Sequence, residues 1–318
     1  ASDLAPWVDV ACVPLSGVGA IEHVQPVEAL RPYLGVELSV GGLAFPTLAN
    51  ALPKQERLSP RRLQRLLKSE NFRLVRDLTL YPPAVDADFP RLLAAADASG
   101  LRRLTVGAAL SDADAGFLAR AALTGLSALN VAKTGLTAGG MRLLATSPHL
   151  TNLTALCAYR NPLGCDGLVA LAEGPLAVRL NALEVQNTQC GPRGAAALAG
   201  SPLMTRLYGP SLNLSMNPLG PAGARALAGC EYLERFTELV LRDCGVQTAG
   251  ALALARSPHL ANLKYLDLWR NHVGAAGVEA LAESPYLSEV RVLGLTDNGL
   301  LPSAADRLRA TFGDRLKV

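Results

Sequence analysis

The chain carries four histidines and six cysteines, the residue types that most often ligate metals or act as bases and nucleophiles near neutral pH. Their spacing suits neither task. Cys12, Cys157, Cys165, Cys190, Cys230 and Cys244 form no C-x-x-C pair, and histidine is too scarce and too distant to complete a zinc set. His149 and His259 each follow a Ser-Pro pair, at a place where a later copy of the same stretch has Tyr286, so they read as corner residues and not as bases. His272 follows Asn271, and His23 lies in the irregular start of the chain. There is no Gly-x-x-x-x-Gly-Lys phosphate cradle and no Gly-x-Ser-x-Gly elbow. Glu238, Asp243 and Asp267 are carboxylates at related positions, yet Arg242 and Arg270 stand among them. Mixed charges of this kind suit a recognition surface better than a general acid and base. The expectation is a protein that is not an enzyme, with no catalytic residue, no cofactor and no metal.

The elements that must position these side chains are copies of one unit. Its cleanest form is LKYLDLWRNHVGAAGVEALAESPYL, residues 263–287. Leu263, Leu266 and Leu268 precede Asn271 at strand spacing, and Gly277 and Leu281 follow at helical spacing before Ser284-Pro285 stops the helix. The position that ends each strand is Thr134, Asn161, Thr188, Asn217, Cys244, Asn271 and Asn298, at intervals of 27, 27, 29, 27, 27 and 27 residues. The single long interval falls where Tyr208 to Pro210 interrupt the pattern. Six residues on stands glycine in six of the seven copies, and four further on stands leucine in all of them. LVRDLTL (74–80) and LRRLTV (101–106) read as earlier strands without the terminal asparagine, with helices near 87–97 and 113–122.

A period in this range with a Leu-x-x-Leu-x-Leu-x-x-Asn/Cys core is the mark of a leucine-rich repeat. Over residues 72–318 the length and the helical second half resemble the ribonuclease-inhibitor-like subclass, including its bacterial members. The fold class expected is α/β: a curved solenoid of about nine coils, parallel strands on the concave face and helices on the convex face. The curvature follows from spacing, since strands stack about 4.8 Å apart and packed helices need about 8–10 Å. The asparagines are expected to be buried and structural, their amides serving backbone groups at the corner. Cys190 and Cys244 replace Leu or Val and Asn or Thr of other copies, and read as small buried fillers.

Half of the residues are hydrophobic and 18% are charged, so a continuous core is available over 318 residues. A net charge of +3 is too weak to argue for nucleic acid or a membrane surface, and no apolar run approaches the roughly 20 residues that span a bilayer. The scattered cysteines favour a reduced, cytoplasmic protein. The chain begins at Ala1, without methionine or a basic-then-apolar leader; a piece removed and a fragment of a longer protein both fit.

Residues 1–70 fall out of register. VDVACV (8–13) and VELSV (36–40) alternate like strands, and Ser59-Pro60 opens a helix, RRLQRLLKS. We read 1–70 as degenerate coils capping the open end of residues 71–318, with a separate small domain as the competing view and a polar carboxyl-terminal cap near 302–318. Arg61, Arg62, Arg65 and Lys68 form a basic helix face, with Leu63, Leu66 and Leu67 turned inward. No aromatic residues interleave for base stacking, so a solvated face is the plainer reading and nucleic acid is not expected.

The remaining strand positions face the concave side. Early coils offer small residues there. Later ones offer Tyr159, Arg160, Glu184, Gln186 and Asn213, then Glu238, Arg242, Asp243, Tyr265, Asp267, Trp269, Arg270 and Asp297. Aromatic residues are only 5% of the chain, yet three of them occupy this face. Large aromatics and arginines dominate binding hot spots. The expected function is recognition of a partner protein on the concave face, by a monomer or a member of a hetero-complex; the resemblance to ribonuclease-inhibitor-like repeats implies the same. The alternative is a sensor or substrate-selecting segment of a larger effector whose active unit lies elsewhere.

Overall fold

A computed structural model describes residues 60–69, 72–73, 75–80 and 88–299, with a few positions near the end, among them 316–317. The strand-like stretches before residue 60, Cys12, His23, Ser59 and most of the carboxyl-terminal cap lie outside the described residues. The first described helix, α1 (Pro60–Leu67), buries Leu63, Leu66 and Leu67 and leaves Arg61, Arg65 and Lys68 in solvent.

Strand and helix then alternate. The order is β1 (Asp77–Leu80), α2 (Phe89–Ala95), β2 (Arg103–Val106), α3 (Asp112–Arg120), β3 (Ala128–Asn130), α4 (Ala138–Ala145), β4 (Ala155–Cys157), α5 (Gly164–Glu173) and β5 (Ala182–Glu184). It continues with α6 (Pro192–Ala199), a short α7 (Leu203–Arg206), β6 (Ser211–Asn213), α8 (Gly220–Ala228), β7 (Glu238–Val240), α9 (Gln247–Ala255), β8 (Tyr265–Asp267), α10 (Gly274–Ala282), β9 (Val292–Gly294) and β10 (Leu316–Lys317). All pairings are parallel, coil upon coil, and the fold is the α/β leucine-rich-repeat solenoid expected. Among the described residues the strands form two five-stranded sheets, β1 to β5 and β6 to β10. The chain end supplies a last strand, Leu316 beside Leu293 and Lys317 beside Gly294.

Alternation along each strand sets the core. Leu239, Leu241, Leu266, Leu268, Leu293 and Leu295 are at most 1% exposed and belong to one buried cluster with the helix leucines Leu227, Leu254 and Leu281. The helix glycines let neighbouring helices close on each other: a Cβ on Gly277 would stand 3.0 Å from Ala251 Cβ and 2.8 Å from Val273 Cγ1. At the helix-to-strand corners the recurrent Ser-Pro has a specific task. Ser147, Ser201, Ser257 and Ser284 each donate from Oγ to a helix-end carbonyl of the preceding coil, at 2.5–2.6 Å.

The strand-ending asparagines tie coils together. Asn161, 2% exposed, accepts at Oδ1 from the Thr134 and Leu136 amides of the preceding coil, both at 3.0 Å. It donates from Nδ2 to Val131 O at 2.8 Å and Ala158 O at 2.9 Å. Asn217, Asn271 and Asn298 make the same reach backward. Each served coil turns its next residue left-handed, at Gly135, Gln189, Gly245 and His272 (φ +79°, +60°, +63°, +55°), which aims the following N–H at the amide.

Where the succeeding coil carries Thr188 or Cys244, no amide is offered. The residue after the asparagine is then Pro162 or Pro218, which cannot take a positive φ. Leu163 and Leu219 instead donate to the carbonyl of their own asparagine, at 2.8 and 2.7 Å. Proline in one coil and the missing asparagine in the next are two halves of one hydrogen-bonding arrangement.

Within each sheet, a carbonyl at the strand start of one coil accepts two amides of the next. Arg76, Arg102, Ser127 and Thr154 do so in the first sheet, and Pro210, Thr237 and Lys264 in the second.

Candidate recognition surface

On the face away from the helices, the strands present alternate side chains in rows, one residue per coil. From β7 to β9 the rows place Arg242, Tyr265, Asp267, Trp269 and Arg270 together. Arg242 Nε donates to Asp267 Oδ2 at 2.7 Å and its Nη2 donates to the Tyr265 hydroxyl at 3.2 Å. That hydroxyl donates in turn to Asp267 Oδ2 at 2.8 Å, and the Trp269 amide donates to Oδ1 at 3.0 Å. The Arg270 guanidinium lies 5.1 Å from the centre of the Trp269 ring, within cation–π range.

One correction follows. Asp267, expected in the exposed lining, is only 4% exposed, while the Arg242 side chain remains 48% exposed. A carboxylate in a strand interior keeps its charge only when paired and hydrogen-bonded, so it is covered by the groups it holds. Its role is to fix Arg242, Tyr265 and the backbone at Trp269. The space for it comes from Gly294 on the next strand, where a Cβ would stand 2.9 Å from Asp267 Oδ1. The bond to Asp267, then that to Tyr265, raises the Arg242 pKa above its ordinary value. Burial first, and then Asp267, raises that of Tyr265.

The other positions are more dispersed. Tyr159 is half-buried under the Lys133 ammonium, 5.6 Å from its ring centre. Glu184 is exposed and accepts from Cys157 Sγ at 3.1 Å. Burial, with Glu184 beside it, pushes the Cys157 thiol up to about 12, which disfavours the thiolate. Gln186 and Glu238 are half-buried, and Asn213 spends its Oδ1 locally on the Ser215 amide at 3.0 Å. Arg160, Asp243, Arg270 and Asp297 are exposed and left-handed, φ +51° to +58°. Lys133, Asn187 and Met216 share that conformation, so one residue per coil forms a ridge beside the strand face. Their common signal in sequence is the place just before the strand-ending residue.

Two features escaped the sequence reading. Gly294 on β9 is one, since its missing side chain leaves the room that Asp267 occupies. Asp77 and Arg103, on β1 and β2, form a second pair built like Arg242 and Asp267: Nε to Oδ1 at 2.9 Å and Nη2 to Oδ2 at 2.6 Å, with the aspartate 4% exposed. Between them and Glu184 the face is shallow, a trough of about 160 Å³ floored by Ala128, Ala155 and Ala182. Among the described residues no group of His, Cys, Asp and Glu is placed to hold a metal ion, and no helix is long and apolar enough to cross a membrane.

A family model described as Leucine Rich repeat matches residues 211–228, 236–255 and 259–282, the coils of β6 to β8. No match is found among curated proteins. Among solved structures the chain is similar to one in the crystal structure of the Rad7 and Elc1 complex in yeast. The two are 15% identical, the match covers 83% of this chain and 86% of that one, and the TM-score is 0.31.

Proposed function

We propose that the sheet face binds a partner protein, with the coils of β7 to β9 contributing most of the contact energy. The observation that carries this reading is the Arg242–Tyr265–Asp267 network beside Trp269 and Arg270. A buried aspartate holding an arginine and a tyrosine in place is preorganised, so little side-chain entropy is left to lose on contact. Arginine, tyrosine and tryptophan are also the residues over-represented at the energetic centres of interfaces. Nothing in this network offers a free base next to a nucleophile, and we read it as adhesive, not catalytic. The ribonuclease-inhibitor-like subclass, a cytoplasmic adaptor role, and residues 1–70 as the amino-terminal cap are part of the same proposal.

The experiment is co-purification from the native source with wild type and with Trp269→Ala combined with Arg242→Ala. Far-ultraviolet circular dichroism and melting confirm the fold of each. Truncating two such anchors should cost on the order of 4 kcal/mol of binding, about a thousandfold in Kd. Retention of every partner at unchanged affinity by a folded double variant would show that the contact surface lies elsewhere.

A further inference from the structure

We infer that the joint between β5 and β6 is the flexural point of this solenoid, where two stiffer halves adjust their relative curvature. The halves are β2 to β5 and β6 to β9 with their helices. Within each, every strand is hydrogen-bonded to the next in register. Between β5 and β6 no backbone rung exists.

The cause is legible in three residues. At the other strand starts, one carbonyl accepts two amides of the following coil. At this joint the two equivalent donor positions are Pro210, which has no N–H, and Ser211, which makes no such bond to Asn181 O. Tyr208 and Gly209 are the two added residues of the long interval. Tyr208 N takes the Asn181 carbonyl at 2.9 Å in place of the strand, and Gly209 turns at φ +102°.

The consequences run into the core. Leu183 on β5 is only half-buried, whereas its counterparts Leu129 and Leu156 are 2% exposed. A void of about 10 Å³ opens among Leu183, Val185, Met204, Leu207 and Leu212. Asn181 Oδ1 is buried with no protein donor in reach. The joint is nonetheless held elsewhere. Asn187 N donates to Ser215 O at 2.9 Å, Asn217 serves Thr188 and Cys190, and α6 packs on α8, where a Cβ on Gly223 would stand 3.3 Å from Ala195 Cβ.

Stiffness in a stack resides in its nearest-neighbour interfaces. One interface here keeps its helix and corner contacts but lacks its strand rungs, so bending concentrates there. The proposed contact residues fall on both sides, Tyr159 and Glu184 before the joint and Arg242 and Trp269 after it. A partner spanning the face therefore engages two bodies whose relative angle the joint sets. That last step rests on the proposed recognition by the sheet face; the compliance of the joint does not.

The test uses the full chain without any partner, so its outcome is independent of that proposal. Hydrogen exchange resolved to single amides should show Leu183 and Val185 exchanging about tenfold or more faster than Leu156 and Ala158, one coil earlier. Spin labels on genetically encoded residues then compare two pairs, each two coils apart. Positions 160 and 216 span the joint, and positions 216 and 270 do not. The first pair should give the broader distance distribution. Equal protection of the two sets of amides, or equal widths for the two label pairs, would overturn the inference.

Discussion

Replacing Asn217 by alanine tests the corner arrangement most directly. The side chain is fully buried. Its Oδ1 accepts from Thr188 N at 2.9 Å and Cys190 N at 3.0 Å, and its Nδ2 donates to Val185 O at 2.9 Å and Leu214 O at 3.0 Å. Alanine strands two buried N–H groups and weakens two carbonyls. At about 1–3 kcal/mol for each buried group left unpaired, the loss should be about 4 kcal/mol or more. Set against a typical total of about 5–15 kcal/mol, that is a large share of the stability.

Asn217→Thr should cost less, about 2–3 kcal/mol, because a hydroxyl can take the Leu214 carbonyl as Thr188 takes that of Val185. Gln189→Pro alone should also destabilise, since Gln189 sits at φ +60°, which proline cannot adopt. Together the two changes recreate the arrangement around Pro162 and Thr188. Gly191 already stands where Gly164 and Gly220 take φ +62° and +63°. The double variant should therefore be more stable than the sum of the single losses allows, by about 1–2 kcal/mol of coupling. Urea unfolding followed by far-ultraviolet circular dichroism supplies all four corners of the cycle. Strict additivity, or an Asn217→Ala loss below about 1 kcal/mol, would refute the reasoning.

Gly294→Ala should push a methyl group into the Asp267 carboxylate, lowering stability by about 1–3 kcal/mol and weakening partner capture as Arg242 loses its anchor; thermal melting and the co-purification assay measure the two effects. Ser257→Ala should cost about 1–2 kcal/mol in urea, because the Ala228 carbonyl loses a buried donor at 2.5 Å. Burial pushes the thiols of Cys190 and Cys244 from 9.0 up to about 12. A folded-state pKa above the unfolded one gives stability that is complete below pH 9 and is lost as pH rises toward 12. The urea midpoint should accordingly fall across that range, and fall less steeply in Cys190→Ala combined with Cys244→Ala.

Much of the frame could be read from spacing. The interval of 27 residues located the strand ends, and among the described residues the asparagines, the helix leucines and the strand leucines other than the half-buried Leu183 are buried where their periods placed them. The glycine row is a helix-packing row, because a Cβ there would collide with the neighbouring helix. The long interval marked the place where the sheet divides. The surface was less legible. Asp267 occupies an outward strand position, and period alone is blind to what folds over that position. Arg242, 25 residues earlier, covers it. The Asp77–Arg103 pair and the space left by Gly294 depend likewise on which neighbour lies alongside.

The sequence by itself determined the repeat, the inward and outward alternation and the corner residues, because these depend on contacts within a coil or on identical contacts between copies. Tertiary structure decided which outward side chains are held and which are free. It also decided where the rungs between strands fail. Both depend on the lateral register of unlike residues in neighbouring coils, and a one-dimensional period carries no record of that register.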